Sequence, residues 1–180
     1  MPIVVIALVL LGSDAKPSNS GKTPKALPAV SVPAPPPNPS ADAPCTKLLG
    51  SLPTAIPTSN GPISGRPAQS DWTYVAAWGD PAIVLRCGVP RPAALTANSS
   101  ALLVPVNGVA FLPVNTKKAN IFTAVDRAAY IEISVPVSYP QPPLGPLADG
   151  IAKALPAVCL PQAAPGQPPV DPAKLCSRRP

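Results

Sequence analysis

The chain has few residues with which to do chemistry. Between Cys45 and Val158 its acids are Asp71, Asp80, Asp126, Glu132 and Asp149, and Glu132 is the only glutamate in the sequence. A pair of carboxylates can run acid–base hydrolysis unaided, and Asp80 with Glu132 are the residues such a hydrolase would use. No spacing marks them as a pair. Asp80 and Asp126 fall in predicted turns, where aspartate commonly serves the backbone. Histidine is absent, which removes Ser-His-Asp and Cys-His catalysis, imidazole metal ligation and histidine pH switching together. There is no G-x-G-x-x-G, Walker loop or G-x-S-x-G. We therefore assign no catalytic residue, metal ligand or cofactor.

Four cysteines remain, Cys45, Cys87, Cys159 and Cys176, with no C-x-x-C among them. An even count at long, irregular spacing reads as disulfides in an oxidising compartment. Of three pairings, Cys45–Cys87 with Cys159–Cys176 joins sequence-local segments. The N-terminus points the same way. Ile3–Leu11 is an unbroken apolar run, too short to span a bilayer but right for the apolar stretch of a signal peptide. No lysine or arginine precedes it, so residues 1–15 are expected to be the remnant of a signal peptide or of a longer anchor whose start lies upstream.

Proline supplies 31 of the 180 residues, against roughly 5% in an average chain. It concentrates in two places. Residues 16–41, including Pro33-Ala34-Pro35-Pro36-Pro37-Asn38-Pro39, read as a disordered polyproline spacer. Residues 159–180 read as a proline-rich tail closed by the second disulfide. The net charge of +6 is spread thinly, and Lys117-Lys118 and Arg178-Arg179 are the adjacent basic pairs. No basic stripe interleaved with aromatics marks a nucleic-acid binder. The excess could favour anionic lipids or wall polymers. Asn98-Ser99-Ser100 forms a glycosylation sequon whose use depends on the host.

The folded part is expected over 42–158. Asp42 can cap a short helix with Pro44 in its first turn. Cys45, Leu48, Leu49 and Leu52 then share one face, and Pro53 ends the helix. Residues 53–70 read as loop. Strands follow at Trp72–Trp78 and Ala82–Cys87, with Ile83, Leu85 and Cys87 on one face and Arg86 on the other. Leu102–Val106 and Val109–Val114 flank Asn107-Gly108, a strong two-residue hairpin signal, with Pro105 and Pro113 pushing both toward sheet edges. Ile121–Val125 and Ala129–Val135 form a second hairpin. In its last strand Ala129, Ile131, Ile133 and Val135 oppose Tyr130, Glu132 and Ser134. Leu147–Leu155 is a helix weakened by Gly150. The fold class is α+β: one small domain with an antiparallel sheet of five or six strands, a helix before it and a helix after it.

Arg86 either pairs with an acid such as Glu132 or lies on the open sheet face. Trp72, Tyr74 and Trp78 form an aromatic stripe that belongs to the core or stacks on a sugar or lipid.

Several of these segments are familiar as a set. Ala77-Trp78-Gly79-Asp80-Pro81, Leu85-Arg86-Cys87-Gly88-Val89-Pro90, Val106-Asn107-Gly108-Val109 and Tyr130-Ile131-Glu132-Ile133-Ser134-Val135-Pro136 resemble a family of actinobacterial exported or membrane-anchored proteins of unknown function. The likeness is to the mycobacterial branch, whose members are labelled conserved secreted proteins. The likeness covers roughly Cys45 to Leu155. It implies an envelope location and transfers no catalytic residue.

The expectation is thus a secreted or membrane-anchored envelope protein with a non-enzymatic binding domain. Its partner would be an envelope protein or a cell-wall component, and no nucleic acid. Candidate binding residues are Arg86, Tyr130, Glu132, Asp80 and Trp78, together with the loop Pro53–Asp71. A carboxylate hydrolase and a carrier of an apolar ligand are the alternatives.

Overall fold

The computed structural model describes residues 27–95 and 102–158. The elements in chain order are β1 (Val30–Ser31), a 3-10 turn (Pro39–Ala41), α1 (Asp42–Leu49), β2 (Ala55–Ile56), β3 (Ile63–Arg66), β4 (Ala68–Gln69), β5 (Val75–Trp78) and β6 (Ile83–Cys87). They continue with β7 (Val104–Val106), β8 (Val109–Asn115), β9 (Ala119–Ala124), β10 (Ile131–Pro136) and α2 (Leu144–Ala154). Eight strands form one antiparallel sheet in the order β2-β3-β5-β6-β10-β9-β8-β7. The class is α+β, and all six expected strands are present. The two extra strands, β2 and β3, arise within the stretch read as loop. Their prolines, Pro57, Pro62 and Pro67, lie outside the strands, where a missing N–H breaks no ladder.

Alternation along the central strands buries one face. Ile83, Leu85 and Cys87 of β6, and Ile131, Ile133 and Val135 of β10, are fully buried beneath Cys45 and Leu48 of α1 and Leu147 and Ile151 of α2. Side chains of this size each contribute about 1.5–3 kcal/mol when wholly removed from water. The Asn107-Gly108 turn has positive φ at both residues, 46° and 77°, as a type I′ hairpin requires. Pro105 sits in the edge strand β7. Pro113 sits where β8 has outrun β7, so neither costs a ladder bond on both sides.

The two helices begin earlier than expected. Ala41, not Asp42, takes the cap position of α1, because the 3-10 turn feeds directly into helical geometry at Asp42. That helix ends at Leu49, with Gly50 rather than Pro53 as its terminator. Helix α2 starts at Leu144, since Pro146 falls in the first turn, where its missing N–H is not needed. Gly150 is explained by close approach. A Cβ there would lie 3.0 Å from the Ser51 carbonyl oxygen and 3.5 Å from Leu52, so the residue that weakens α2 lets it pack on the end of α1. The first aromatic strand is shorter than expected: Trp72–Tyr74 bends, with the Trp72 N–H donating to Ser70 Oγ.

The largest departure is at the N-terminal side. The folded body begins before Asp42. Residues 27–37, expected to be free spacer, run as a strap across the sheet's second face. Within it β1 pairs in parallel with β4, Val30 against Ala68 and Ser31 against Gln69. Val32 and Pro35 are buried. Polyproline backbone carries carbonyl acceptors without matching donors, and arginines supply them. Arg66 donates to the Pro28 oxygen, and Arg86 to the Pro33 oxygen.

Cys45 and Cys87 are joined, which ties α1 to β6 in the core. Cys159 and Cys176, the tail 159–180, the segment 1–26 and the Asn98 sequon lie outside the described residues. With a sequence separation of 42, chain-entropy reasoning assigns the cross-link about 4 kcal/mol. The Cys45→Ala/Cys87→Ala protein is expected to lose about that much in urea unfolding, with little change in far-ultraviolet circular dichroism.

Candidate functional site

The expected residues divide into two clusters. Arg86 and Glu132 are register partners on β6 and β10. Arg86 Nη2 lies 2.6 Å and Nε 3.1 Å from Glu132 Oε1. Both side chains are about one-fifth exposed, at 23% and 20%. Tyr130 lies two residues before Glu132 on the same face, and its carbonyl accepts the Gly88 N–H. The row Val75, Arg86, Glu132, Thr123, Leu112 crosses five strands. Thr123 and Leu112 in it are buried. This face, expected to be open, is thus closed at Arg86 by the strap, and its charges are spent on each other.

Asp80 belongs to a second cluster at the β5–β6 turn. Arg66 is nearly buried, with 7% of its side chain exposed, and lies 3.3 Å from Asp80 Oδ1. Its Nη1 also donates to the Gly79 oxygen at 2.9 Å. Tyr139 donates its hydroxyl proton to the Pro81 oxygen at 2.9 Å. Asp80 and Glu132 therefore each hold a different arginine and share no side-chain partner, so these two do not form a carboxylate pair. Among the described residues no group of three His, Cys, Asp or Glu side chains could hold a metal ion.

Asp126 is no ordinary turn acid. It is 14% exposed beside Arg127, whose Nε lies 3.7 Å from Asp126 Oδ1. Arg127 also donates to the Gly108 oxygen, tying the β9–β10 loop to the hairpin tip. Asp149 accepts a 2.8 Å bond from the Asn107 amide, which fastens that tip to α2.

Trp78 is 2% exposed and belongs to the core, with its indole N–H donated to the Pro53 oxygen at 2.9 Å. Trp72 is half-buried. It donates to the Cys87 oxygen at 2.7 Å and meets Tyr74 edge-on, with 5.2 Å between ring centroids. With its indole donor spent, the half-buried Trp72 ring offers apolar surface, and Trp78 closes the floor beneath it.

That surface lines an open groove of about 690 Å³, together with Leu49, Leu52, Thr54 and Ala68. The groove exists because β3 leaves the sheet early. It pairs with β5 only at Gly65–Trp78 and Arg66–Ala77, after which Pro67 turns the chain into β4. In an antiparallel pair alternate residues direct their backbone groups to opposite sides. The Cys87 N–H bonds the Tyr74 oxygen on the β6 side. Thr73 and Val75 therefore point their backbone groups toward the groove, where Val75 has no ladder partner among the described residues. Much of the wall comes from the expected loop Pro53–Asp71, joined by Trp72 of the expected aromatic stripe. Arg66 went unnoticed because nothing in Ile63-Ser64-Gly65-Arg66-Pro67 distinguishes it from a surface arginine.

Burial raises the Tyr139 pKa above the ordinary value near 10, and the neighbouring Asp80 charge adds to that, partly offset by Arg66. A phenol that holds its proton more tightly when folded contributes stability below the unfolded pKa. That stability is lost as pH rises through the folded value. Absorbance titration of the native protein is expected to show a late tyrosine step above pH ~10 that Tyr139→Phe removes.

No helix among the described residues is long and apolar enough to cross a membrane. No curated protein and no solved structure matches the chain. Residues 1–160 match the family described as Protein of unknown function (DUF3515), and the chain belongs to that family.

Proposed function

We propose that the protein works outside the cytosol, secreted or anchored to the outer face of the cytoplasmic membrane. There its domain binds an envelope protein or a cell-wall component without catalysing a reaction on it. The observation that carries the binding role is the groove beside β5. It combines apolar indole surface with an unpaired strand edge, a pairing of features that suits an extended chain. Its open form favours such a ligand over an engulfed lipid. The Cys45–Cys87 disulfide supports an oxidising compartment, as does the apolar run Ile3–Leu11. An actinobacterial source fits the segments around Trp78 and Cys87.

The hydrolase reading lacks paired carboxylates, as described above. Arg86 and Glu132 serve this reading as the framework under the strap, and Tyr130 as the backbone partner of Gly88 at the end of β6. Asp80 serves it through Arg66, and Trp78 as the groove's buried end.

Two measurements test the proposal. Thiol labelling of native material, denatured without reductant, is expected to leave Cys45 and Cys87 unmodified; free thiols at both would remove the compartment. A photo-crosslinking residue at Thr73 is expected to capture a discrete envelope species in intact cells, whereas the same residue at Lys118 captures none. Equal capture from both positions would remove the groove as the site.

A further inference from the structure

We propose that the N-terminal strap and the groove form one coupled device. With residues 27–37 docked, the strap holds the groove's β4 wall in place. Drawing the strap off releases that wall and changes the groove. The inference rests on the reading that the groove is the binding site, and it adds how that site is regulated.

The coupling follows from shared residues. Arg66, Pro67 and Ala68 are consecutive, and all three line the groove. All three are also held by the strap. Arg66 donates through Nε and Nη2 to the Pro28 oxygen at 3.0 and 2.6 Å. The Pro67 oxygen accepts the Val30 N–H at 2.9 Å. Ala68 is the register partner of Val30. The next residue, Gln69, accepts the Val32 N–H at 2.9 Å through its carbonyl. Among the described residues strand β4 belongs to no other ladder: it pairs with β1, in a sheet of two strands. Without the strap its backbone loses its only strand partner.

The strap is also the weakly held partner. Its ladder has two residue pairs, and its buried apolar side chains are Val32 and Pro35, against a core of fully buried Ile, Leu and Phe. Segments with so few buried contacts open at a fraction of the global unfolding free energy. A load on the chain before Leu27 enters beside Pro28 and so reaches the Arg66 clasp first. Coupling of this kind is reciprocal: a ligand that prefers the docked form of the groove tightens the strap by the same factor.

The test needs no ligand. Trp72 and Trp78 are the chain's two tryptophans, and both line the groove, so acrylamide quenching of intrinsic fluorescence reads the site directly. In the full-length oxidised protein, Val32→Asp places a charge where 4% of the residue is exposed and drives the strap off. Amide exchange at Val30 and Val32 is expected to rise about tenfold or more. Exchange over Ala68–Ser70 and tryptophan quenching should rise with it, while the Cys87 and Gly88 amides within the sheet stay protected. Faster exchange at Val30 and Val32 with no change at Ala68–Ser70 or in quenching overturns the proposal.

If Val32→Asp unfolds the sheet, Ser31→Cys with Gln69→Cys decides. These are exposed register partners, and a disulfide between them locks the strap. Slower exchange at Ala68–Ser70 and weaker quenching than in the unmodified protein support the coupling, and no change overturns it. Loss of the coupling leaves capture from position 73 untouched, so the two readings fail separately.

Discussion

The Cys45–Cys87 cross-link is the constraint around which the rest is arranged. It fixes the first turn of α1 on the last residue of β6, beside the point where Trp72 packs against Gly88. Two consequences follow. The helix is held over the centre of the sheet, where Leu48 completes the core with Leu147 and Ile151. The end of α1 at Leu49, and Leu52 in the turn after it, become part of the groove. A chain with only 4% aromatic residues has little large apolar surface to bury. A covalent tie between helix and sheet offsets part of that shortage.

Proline shapes the second layer of interactions. Each proline removes a backbone donor and leaves an acceptor, so a proline-rich protein carries surplus carbonyl oxygens. Arg66, Arg86 and Arg127 each donate to backbone carbonyls, at Pro28 and Gly79, at Pro33, and at Gly108. The planar, multi-donor guanidinium suits this work, because one group can hold an acid and a carbonyl at once. Arg86 does so with Glu132 and Pro33. Arg66 does so with Asp80, Gly79 and Pro28. Arg66 and Arg86 thus attach a proline-rich strap to a β-sheet. That attachment stabilises one wall of the groove and leaves the opposite wall to α1.

How much of this could be read in advance depended on whether an element shows a period or a turn signal of its own. The central strands and the two helices show a period, and the short strand β7 was visible through the Asn107-Gly108 turn that follows it. Ile83, Leu85 and Cys87 on β6, and Ile131, Ile133 and Val135 on β10, alternate without interruption. The Asn107-Gly108 turn announced its conformation through residue type. The Cys45–Cys87 pairing was legible because it joins sequence-local segments, whereas for Arg86 the sequence left partner and open face as alternatives and the structure supplies Glu132. Strands β1, β2 and β4 have two residues each, and two residues cannot display a period; β3 has four, but no alternation, with Gly65 inside it and Pro62 and Pro67 on either side. The strap was missed because its composition matches that of a disordered linker, and its order comes from Arg66 and Arg86, each more than thirty residues away.

Local rules therefore fixed the alternation of the sheet, the apolar stripes of the helices, the hairpin turn and the absence of histidine chemistry. Each of these depends only on near neighbours in the chain, so each is written in order along it. The groove, the Arg66 clasp and the closed second face came from assembly. They arise where β3 departs from β5 and where a proline-rich segment meets distant donors. Such contacts depend on which segments are brought together in space, and that is set by the packing of the whole core.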